Sequence, residues 1–96
     1  MTNIQAGRTL QSVRTSMPGP EVLAAVVDFF SRQSGIYAAF PEQIGTNHVT
    51  LRGMGIEEVA VGVAAVDGAT EVSASSYMFD GQVAMFLASL PPAEEK

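Results

Sequence analysis

The middle of the chain alternates between apolar and small or polar residues on both sides of the pair Asp67-Gly68. This pattern predicts a β-hairpin with a two-residue type I′ turn, because Asp and Gly tolerate the positive φ that both turn positions need. In that register Val63 lies opposite Val72, and Val61 lies opposite Ala74. One face of the hairpin is then apolar, and we expect it to form the floor of the core: Val59, Val61, Val63, Ala65, Thr70, Val72 and Ala74.

The opposite face of the predicted hairpin, which we call the small-residue face, carries almost no bulky side chain. Its members are Ala60, Gly62, Ala64, Ala69, Ser73 and Ser75, and Glu71 is the charged residue on the same face. Exposed strand faces usually carry larger polar and charged residues. Small side chains let a second sheet approach closely, so we predict a two-fold homodimer that buries this face or the edge of the strand holding it. The interface is predicted at Ala60, Gly62, Ala64, Ser73 and Ser75, and the alternative is an ordinary exposed face.

The stretch after Met17 has helical periodicity. Pro20 fits the first turn of a helix, and Glu21 complements the positive helix N-terminus. Gly35 is the predicted stop of this helix. Its apolar face is predicted to consist of Leu23, Val26, Val27 and Phe30, widened by Val22 and Phe29.

A second helix is predicted after Asp80, which we interpret as its N-cap. Pro91-Pro92 ends it. Four apolar residues lie on one stripe of this helix: Val83, Phe86, Leu87 and Leu90.

Three further strands are predicted outside the hairpin: residues 8–16, residues 36–40 up to Pro41, for which an extended segment is the alternative, and residues 48–53. The register of the first is open, because Leu10 and Val13 fall on opposite faces of an ideal strand. Residues 41–47 are predicted to be a loop. The order β-α-β-β-β-β-α predicts an α+β fold, in which an antiparallel sheet of about five strands carries both helices on one face. We expect residues 1–96 to form one domain, with residues 1–7 and 91–96 as loose termini.

Composition narrows the function classes. The 96 residues include ten Asp and Glu but five Lys and Arg, so the net charge is −5, which disfavours nucleic acid and anionic membranes as partners. No cysteine is present, so disulfides, thiolate catalysis and Cys-bound metals are excluded. The first residues have no apolar signal core and no apolar stretch is long enough to span a bilayer. We therefore expect a cytoplasmic protein.

Three stretches carry a resemblance to a known family. They are LQSVRTSMPGPEVLAAVVDFF at residues 10–30, VDGATEVSASSY at residues 66–77, and VAMFLASL at residues 83–90. Taken in order they resemble the helix-grip superfamily of START-type and birch-pollen-allergen-like proteins, which includes polyketide cyclases. That resemblance implies an apolar cavity, between a long closing helix and the sheet, that binds apolar ligands. Here the closing helix has about ten residues, roughly 15 Å, and the sheet is shorter than in the family.

Few residues have side chains suited to catalysis. His48 is the only histidine, lies on the polar face of its strand, and is predicted to be exposed. Glu57, Glu58 and Glu71 are predicted to be solvated strand charges. Gly53-Met54-Gly55 lacks the lysine of a phosphate loop and is predicted to be a flexible connection. No catalytic residue, metal site or cofactor is therefore predicted.

Two functions remain open from the sequence. The first is a non-enzymatic interaction or oligomerisation module of unknown role. The second is a carrier of a small apolar ligand, or a cyclase-like enzyme, of the helix-grip type. In the second case Tyr37, Met54, Tyr77 and Phe79 would form the mouth of a pocket between the second helix and the sheet. An apolar pocket of about 300 Å³ or more would favour the second function, and a solid core would favour the first.

Overall fold

A computed structural model describes residues 9–33 and 37–93, which form an antiparallel sheet and two helices. The predicted α+β class and order of elements are confirmed. The elements are β1 (Thr9–Thr15), α1 (Gly19–Ser31), β2 (Phe40–Ile44), β3 (His48–Arg52), β4 (Glu58–Val66), β5 (Ala69–Tyr77) and α2 (Asp80–Ser89).

The predicted hairpin is the centre of the sheet. β4 pairs with β5 in the predicted register, with Val63 opposite Val72. The turn residues Asp67 and Gly68 have φ of 52° and 80°, as a type I′ turn requires. The strand order is β1-β5-β4-β3-β2, and each neighbouring pair is antiparallel.

Strand β1 has a single register against β5. Leu10 lies opposite Ser75, and Val13 lies opposite Val72. Residues that face each other across an antiparallel pair share a face, so Val13 packs against the core while Leu10 lies on the outer side of the sheet. The register of β1, which the sequence left open, is therefore that of an ordinary alternating strand with Val13 inside and Leu10 outside.

Both helices pack on one face of the sheet and bury the predicted apolar stripes. The helices also contact each other, since the ring centroids of Phe29 and Phe86 are 5.5 Å apart. Each fully buried aliphatic or aromatic side chain contributes about 1.5–3 kcal/mol to stability. The core that results includes Val22, Leu23, Val26, Phe30, Val49, Leu51, Val59, Val61, Val72, Val83, Phe86 and Leu87.

Two residues of the predicted core floor are less buried than expected. Val63 is half-buried and Ala65 is exposed. A Cβ added at Gly19 would lie 3.0 Å from the Val63 side chain, so the first residue of α1 sits directly against this part of β4. The last residues of β4 therefore extend past the start of the helix that covers the sheet.

The predicted position of the second strand is wrong. It was placed at residues 36–40 and ended by Pro41, with a loop after it, whereas β2 begins at Phe40 and includes Pro41. β2 is an edge strand with a register shift between Pro41 and Gln43, and edges and bulges are where a strand tolerates proline. Ala39, which was predicted to be in the strand, donates its N–H to the carbonyl of Phe30 instead. Gly35 and Ile36 lie outside the described residues.

The second helix begins differently from the prediction. Phe79 is its N-cap, and no side chain caps the helix. Asp80 is the first helical residue; its carboxylate accepts a hydrogen bond from the hydroxyl of Ser76 at 3.1 Å. Its charge still complements the helix N-terminus.

After α2 the chain contacts β1. Thr15 is fully buried, its hydroxyl donates to the carbonyl of Pro91, and Pro92 forms a bridge with it. The same hydroxyl accepts a hydrogen bond from the backbone N–H of Met17 at 3.1 Å. Residues 1–8 and 94–96 lie outside the described part of the chain.

Candidate interaction surfaces

The small-residue face lies on the side of the sheet away from the helices. Across β4 and β5, Ala60 pairs with Ser75, Gly62 with Ser73, and Ala64 with Glu71. None of these side chains is fully buried, and those of Ala64 and Ser73 are exposed. The structure therefore brings all five predicted interface residues together on one continuous outer surface.

Gly62 lies at the middle of this face, and the monomer does not require glycine there. A Cβ added at Gly62 would meet only the carbonyl oxygen of Asn47, at 3.8 Å, which is an ordinary contact. Its φ is not positive. Glycine inside a strand weakens the strand and often marks a close approach by another backbone.

Leu10 extends the small-residue face onto β1. It lies opposite Ser75 and is 74% exposed. On the other side of the hairpin, β3 contributes Thr50 opposite Ala60 and His48 opposite Gly62. Sequence reasoning missed Leu10, because the alternation in β1 alone does not say which face is buried.

His48 is exposed on this outer side, as predicted. Its ring lies over Gly45, where an added Cβ would clash with the ring. Among the described residues, no group of three or more His, Cys, Asp or Glu is arranged to hold a metal ion.

An ion-pair network holds one corner of the outer face. Arg52 donates through Nε and Nη2 to the two oxygens of Glu42, both at 3.1 Å, and its Nη2 is 3.8 Å from Glu58. The hydrogen bond to Glu42, and secondarily the charge of Glu42, raises the pKa of Arg52. The network joins β2, β3 and β4, and the sequence pattern did not identify it.

The four residues predicted to form a pocket mouth have different environments. Phe79 is a core residue, 2% exposed, and its ring stacks on Phe30 at 5.9 Å. Tyr37 is exposed and contacts Phe79, with ring centroids 6.1 Å apart. Met54 is 80% exposed and Tyr77 is half-buried. The role of these residues in ligand binding stays a prediction.

The inner face of α2 contributes buried side chains to the core, and three open grooves are found on the described part of the chain. An open groove of about 340 Å³ runs between α1 and α2, and one of about 460 Å³ lies beside the start of α1. A third, of about 450 Å³, lies between α1 and the β2–β3 turn and is mostly apolar. We call the third the α1 groove; its lining is Pro20, Leu23, Ala24, Val27, Ile44, Gly45, Thr46 and Val49. None of the three is lined by Tyr37, Met54, Tyr77 or Phe79.

Within residues 9–33 and 37–93, no helix is both long enough and apolar enough to cross a membrane.

Comparison with known proteins supports the fold but identifies no family. No family model and no curated protein matches the chain. A similar solved structure is the solution structure of the Aha1 dimer from Colwellia psychrerythraea, with a TM-score of 0.62 and 11% sequence identity. The match covers 85% of this chain and 91% of that chain. At that identity the likeness concerns the fold alone, which agrees loosely with the helix-grip-like fold expected from the sequence.

Proposed function

We propose that this chain is a non-enzymatic interaction module that forms a two-fold homodimer through the small-residue face. The observation that carries this proposal is the open outer side of the β4–β5 hairpin, with Gly62 at its centre and no packing in the monomer that explains the glycine. A second sheet lying on this face would make use of the small side chains, because its backbone would come close without steric conflict.

The size of the outer face fits such a dimer. Five strands about 4.8 Å apart, the central two of nine residues each, give a surface on the order of 600 Å². Interfaces of standard size bury about 600–1,000 Å² per partner, so this face reaches the low end of that range. Leu10 adds an exposed apolar side chain at one margin. The similar structure from Colwellia psychrerythraea is itself described as a dimer, which supports the proposal without fixing the interface.

The test is the Ala64→Arg variant, with Ala84→Arg as its matched control. Ala64 is exposed on the small-residue face, while Ala84 is exposed on α2, on the other side of the molecule. In the monomer a new arginine at position 64 lies opposite Glu71, so the variant is expected to fold. In a close sheet-to-sheet interface the same side chain has no room.

Size-exclusion chromatography with light scattering gives the readout. We expect a dimer for the wild type and for Ala84→Arg, and a folded monomer for Ala64→Arg. A dimer that survives Ala64→Arg would contradict the proposed interface. A monomeric wild type would contradict dimer formation itself.

A second candidate function, binding of a small apolar ligand, is favoured by the α1 groove. Its volume of about 450 Å³ is in the range of small-molecule sites, but it is an open surface groove and not an enclosed cavity between α2 and the sheet, so this function ranks second. The groove is open on one side, where Ala24 and Ile44 are exposed, and buried Leu23 and Val49 contribute to its lining. We infer that a fatty acid, flavonoid or steroid would bind here rather than beneath α2.

Thermal shift against these three ligand classes tests the second function. A ligand at a hundred times its Kd stabilises the folded state by about 2.7 kcal/mol, a rise in Tm of roughly 10 °C or more for a domain of this size. Ala24→Trp should fill the groove and abolish the shift, whereas Ala84→Trp should leave it unchanged. A wild-type protein that responds to no ligand class would contradict this function.

A further inference from the structure

A second surface, separate from the small-residue face and the α1 groove, is built from exposed bulky side chains. Five of the eight large apolar residues that are exposed in the described part of the chain lie at one end of the sheet, where β2 and β4 begin and β3 and β5 end. We call this surface the apolar end; its members are Tyr37, Phe40, Met54, Ile56 and Met78. Exposed apolar patches of this kind mark interaction sites more often than single scattered residues do.

The strand register brings the chain segments that carry these residues to the same end of the sheet. Phe40 lies opposite Arg52, Arg52 opposite Glu58, and Glu58 opposite Tyr77. Four strands therefore have their ends in one row across the sheet. Phe40 lies at one end of this row and Tyr77 at the other, and Met78 follows Tyr77 in the chain. The connection at residues 53–57 leaves the sheet from the middle of this row.

That connection has internal hydrogen bonds that hold its shape. Gly53 donates its N–H to the carbonyl of Glu57 at 3.0 Å, and Gly55 donates its N–H to Oε1 of Glu57 at 2.8 Å. A Cβ added at Gly53 would lie 2.8 Å from the same carboxylate oxygen. The hydrogen bonds to Glu57 therefore hold the loop that carries Met54 and Ile56 in one shape. The side chains of Met54 and Ile56 are exposed to solvent.

Met78 has a backbone conformation that is costly for a residue other than glycine. Its φ is 77°, which costs on the order of 1–3 kcal/mol. The turn directs Phe79 into the core, where it is buried, and leaves Met78 60% exposed. The fold thus holds a flexible, polarizable side chain on the surface beside Tyr77, and methionines of this kind adapt readily to an apolar partner.

The surroundings of the apolar end are acidic. Four carboxylates lie at this end, those of Glu42, Glu57, Glu58 and Asp80; among the described residues one basic side chain, Arg52, lies with them. The whole chain has a net charge of −5. Such a field attracts cationic partners, and it repels anionic membranes and a second copy of the same acidic end.

We propose that the apolar end is a docking surface for a basic amphipathic helix of another protein. Apolar residues of the helix would contact Met54, Ile56 and Met78, and flanking Lys or Arg residues would face the surrounding carboxylates. This is a known way for flexible, Met-containing surfaces to bind helical partners. Its members differ from the five predicted dimer-interface residues, although Phe40 lies on the same outer side of the sheet.

The test uses a fluorescein-labelled 18-residue helical peptide made of Leu on one face and Lys on the other. Its counterpart has Glu in place of Lys. Fluorescence anisotropy should show binding of the Lys peptide to the wild type and at least tenfold weaker binding of the Glu peptide. NMR shift changes on titration should be confined to residues 37–40, 53–57 and 77–79.

The double variant Met54→Ser with Met78→Gly removes two apolar side chains and changes no charge. Glycine adopts the positive φ of position 78 without steric cost, so the melting temperature should not fall. We expect the double variant to bind the Lys peptide at least fivefold more weakly. Met85→Ser is the matched control, because Met85 is 59% exposed on α2, and it should bind like the wild type.

Several results would overturn the proposal. Equal binding by the wild type and the double variant would reduce the interaction to charge attraction alone. Lost binding to phosphatidylcholine vesicles in the double variant would assign the surface to a membrane, and a monomeric double variant would assign it to a second copy of the chain. Ala64→Arg should bind the peptide as the wild type does, so a failure of the dimer proposal and a failure of this one are distinguishable.

Discussion

At the scale of single residues, the direction of a side chain on β4 decides what the residue does. Val61 is 2% exposed beneath the helices, and its neighbour Ala60 lies on the small-residue face. The period of two along a strand separates these two positions. Sequence alternation was sufficient to predict both, because it is the direct consequence of burying one face of the sheet.

The Val61→Asp variant should unfold the protein. An unpaired buried charge costs several kcal/mol, against a total stability of about 5–10 kcal/mol for a small domain. The matched control is Ala60→Asp, which puts the same charge on the outer face and should remain folded. Circular dichroism melting compares the two. A cooperative melt of Val61→Asp at the wild-type temperature would show that the register is wrong.

Gly62→Ala tests whether the glycine serves the monomer or an interface. The strand conformation accepts alanine, and the added Cβ has space, so the monomer should be more stable by about 0.5–1 kcal/mol. If a second sheet lies on this residue, the same methyl group should weaken the dimer. Melting at micromolar concentration in the Ala64→Arg background isolates the first effect, and the dimer Kd with and without Gly62→Ala gives the second. A tighter dimer would contradict close approach at this position.

At the scale of elements, local turn chemistry determined what was predictable. The Asp67-Gly68 turn fixed the register of β4 and β5, and helical periodicity located the buried stripes of α1 and α2. β2 was misplaced because Pro41 usually ends a strand. Only its position at the sheet edge, beside a register shift, permits proline there. That position follows from the pairing of the other four strands and has no local signal.

Thr15 joins two elements that the sequence did not connect. Its hydroxyl bonds to both Pro91 and Met17, so it fixes the chain after α2 and the connection into α1 at the same point on β1.

Thr15→Val keeps the shape of the side chain but leaves a carbonyl and an N–H without this partner. We expect a loss of about 1–3 kcal/mol, measured by urea denaturation. Thr50→Val, at a half-buried site on β3, is the control and should change stability by less than about 0.5 kcal/mol. An equal loss in both variants would show that Thr15 has no special role.

At the scale of the whole molecule, the surfaces were less predictable than the core. The members of the small-residue face could be predicted, since they follow from one hairpin. The apolar end could not, because it gathers residues from three separate connections whose proximity depends on the order of strands in the sheet. Tyr37, Met54 and Tyr77 are predicted to form the mouth of a pocket, and the structure places them at one end of the sheet, while Phe79 from the same group is in the core.

The central claim is that two copies of the chain associate through the open side of the sheet. Sedimentation equilibrium of the wild type over a range of concentrations tests it most directly, because it needs no variant and no ligand. The chain has a mass of 10.1 kDa, so we predict a mass of about twice that value, falling towards the monomer on dilution with a single dissociation constant. A mass of 10.1 kDa at every concentration would contradict the claim.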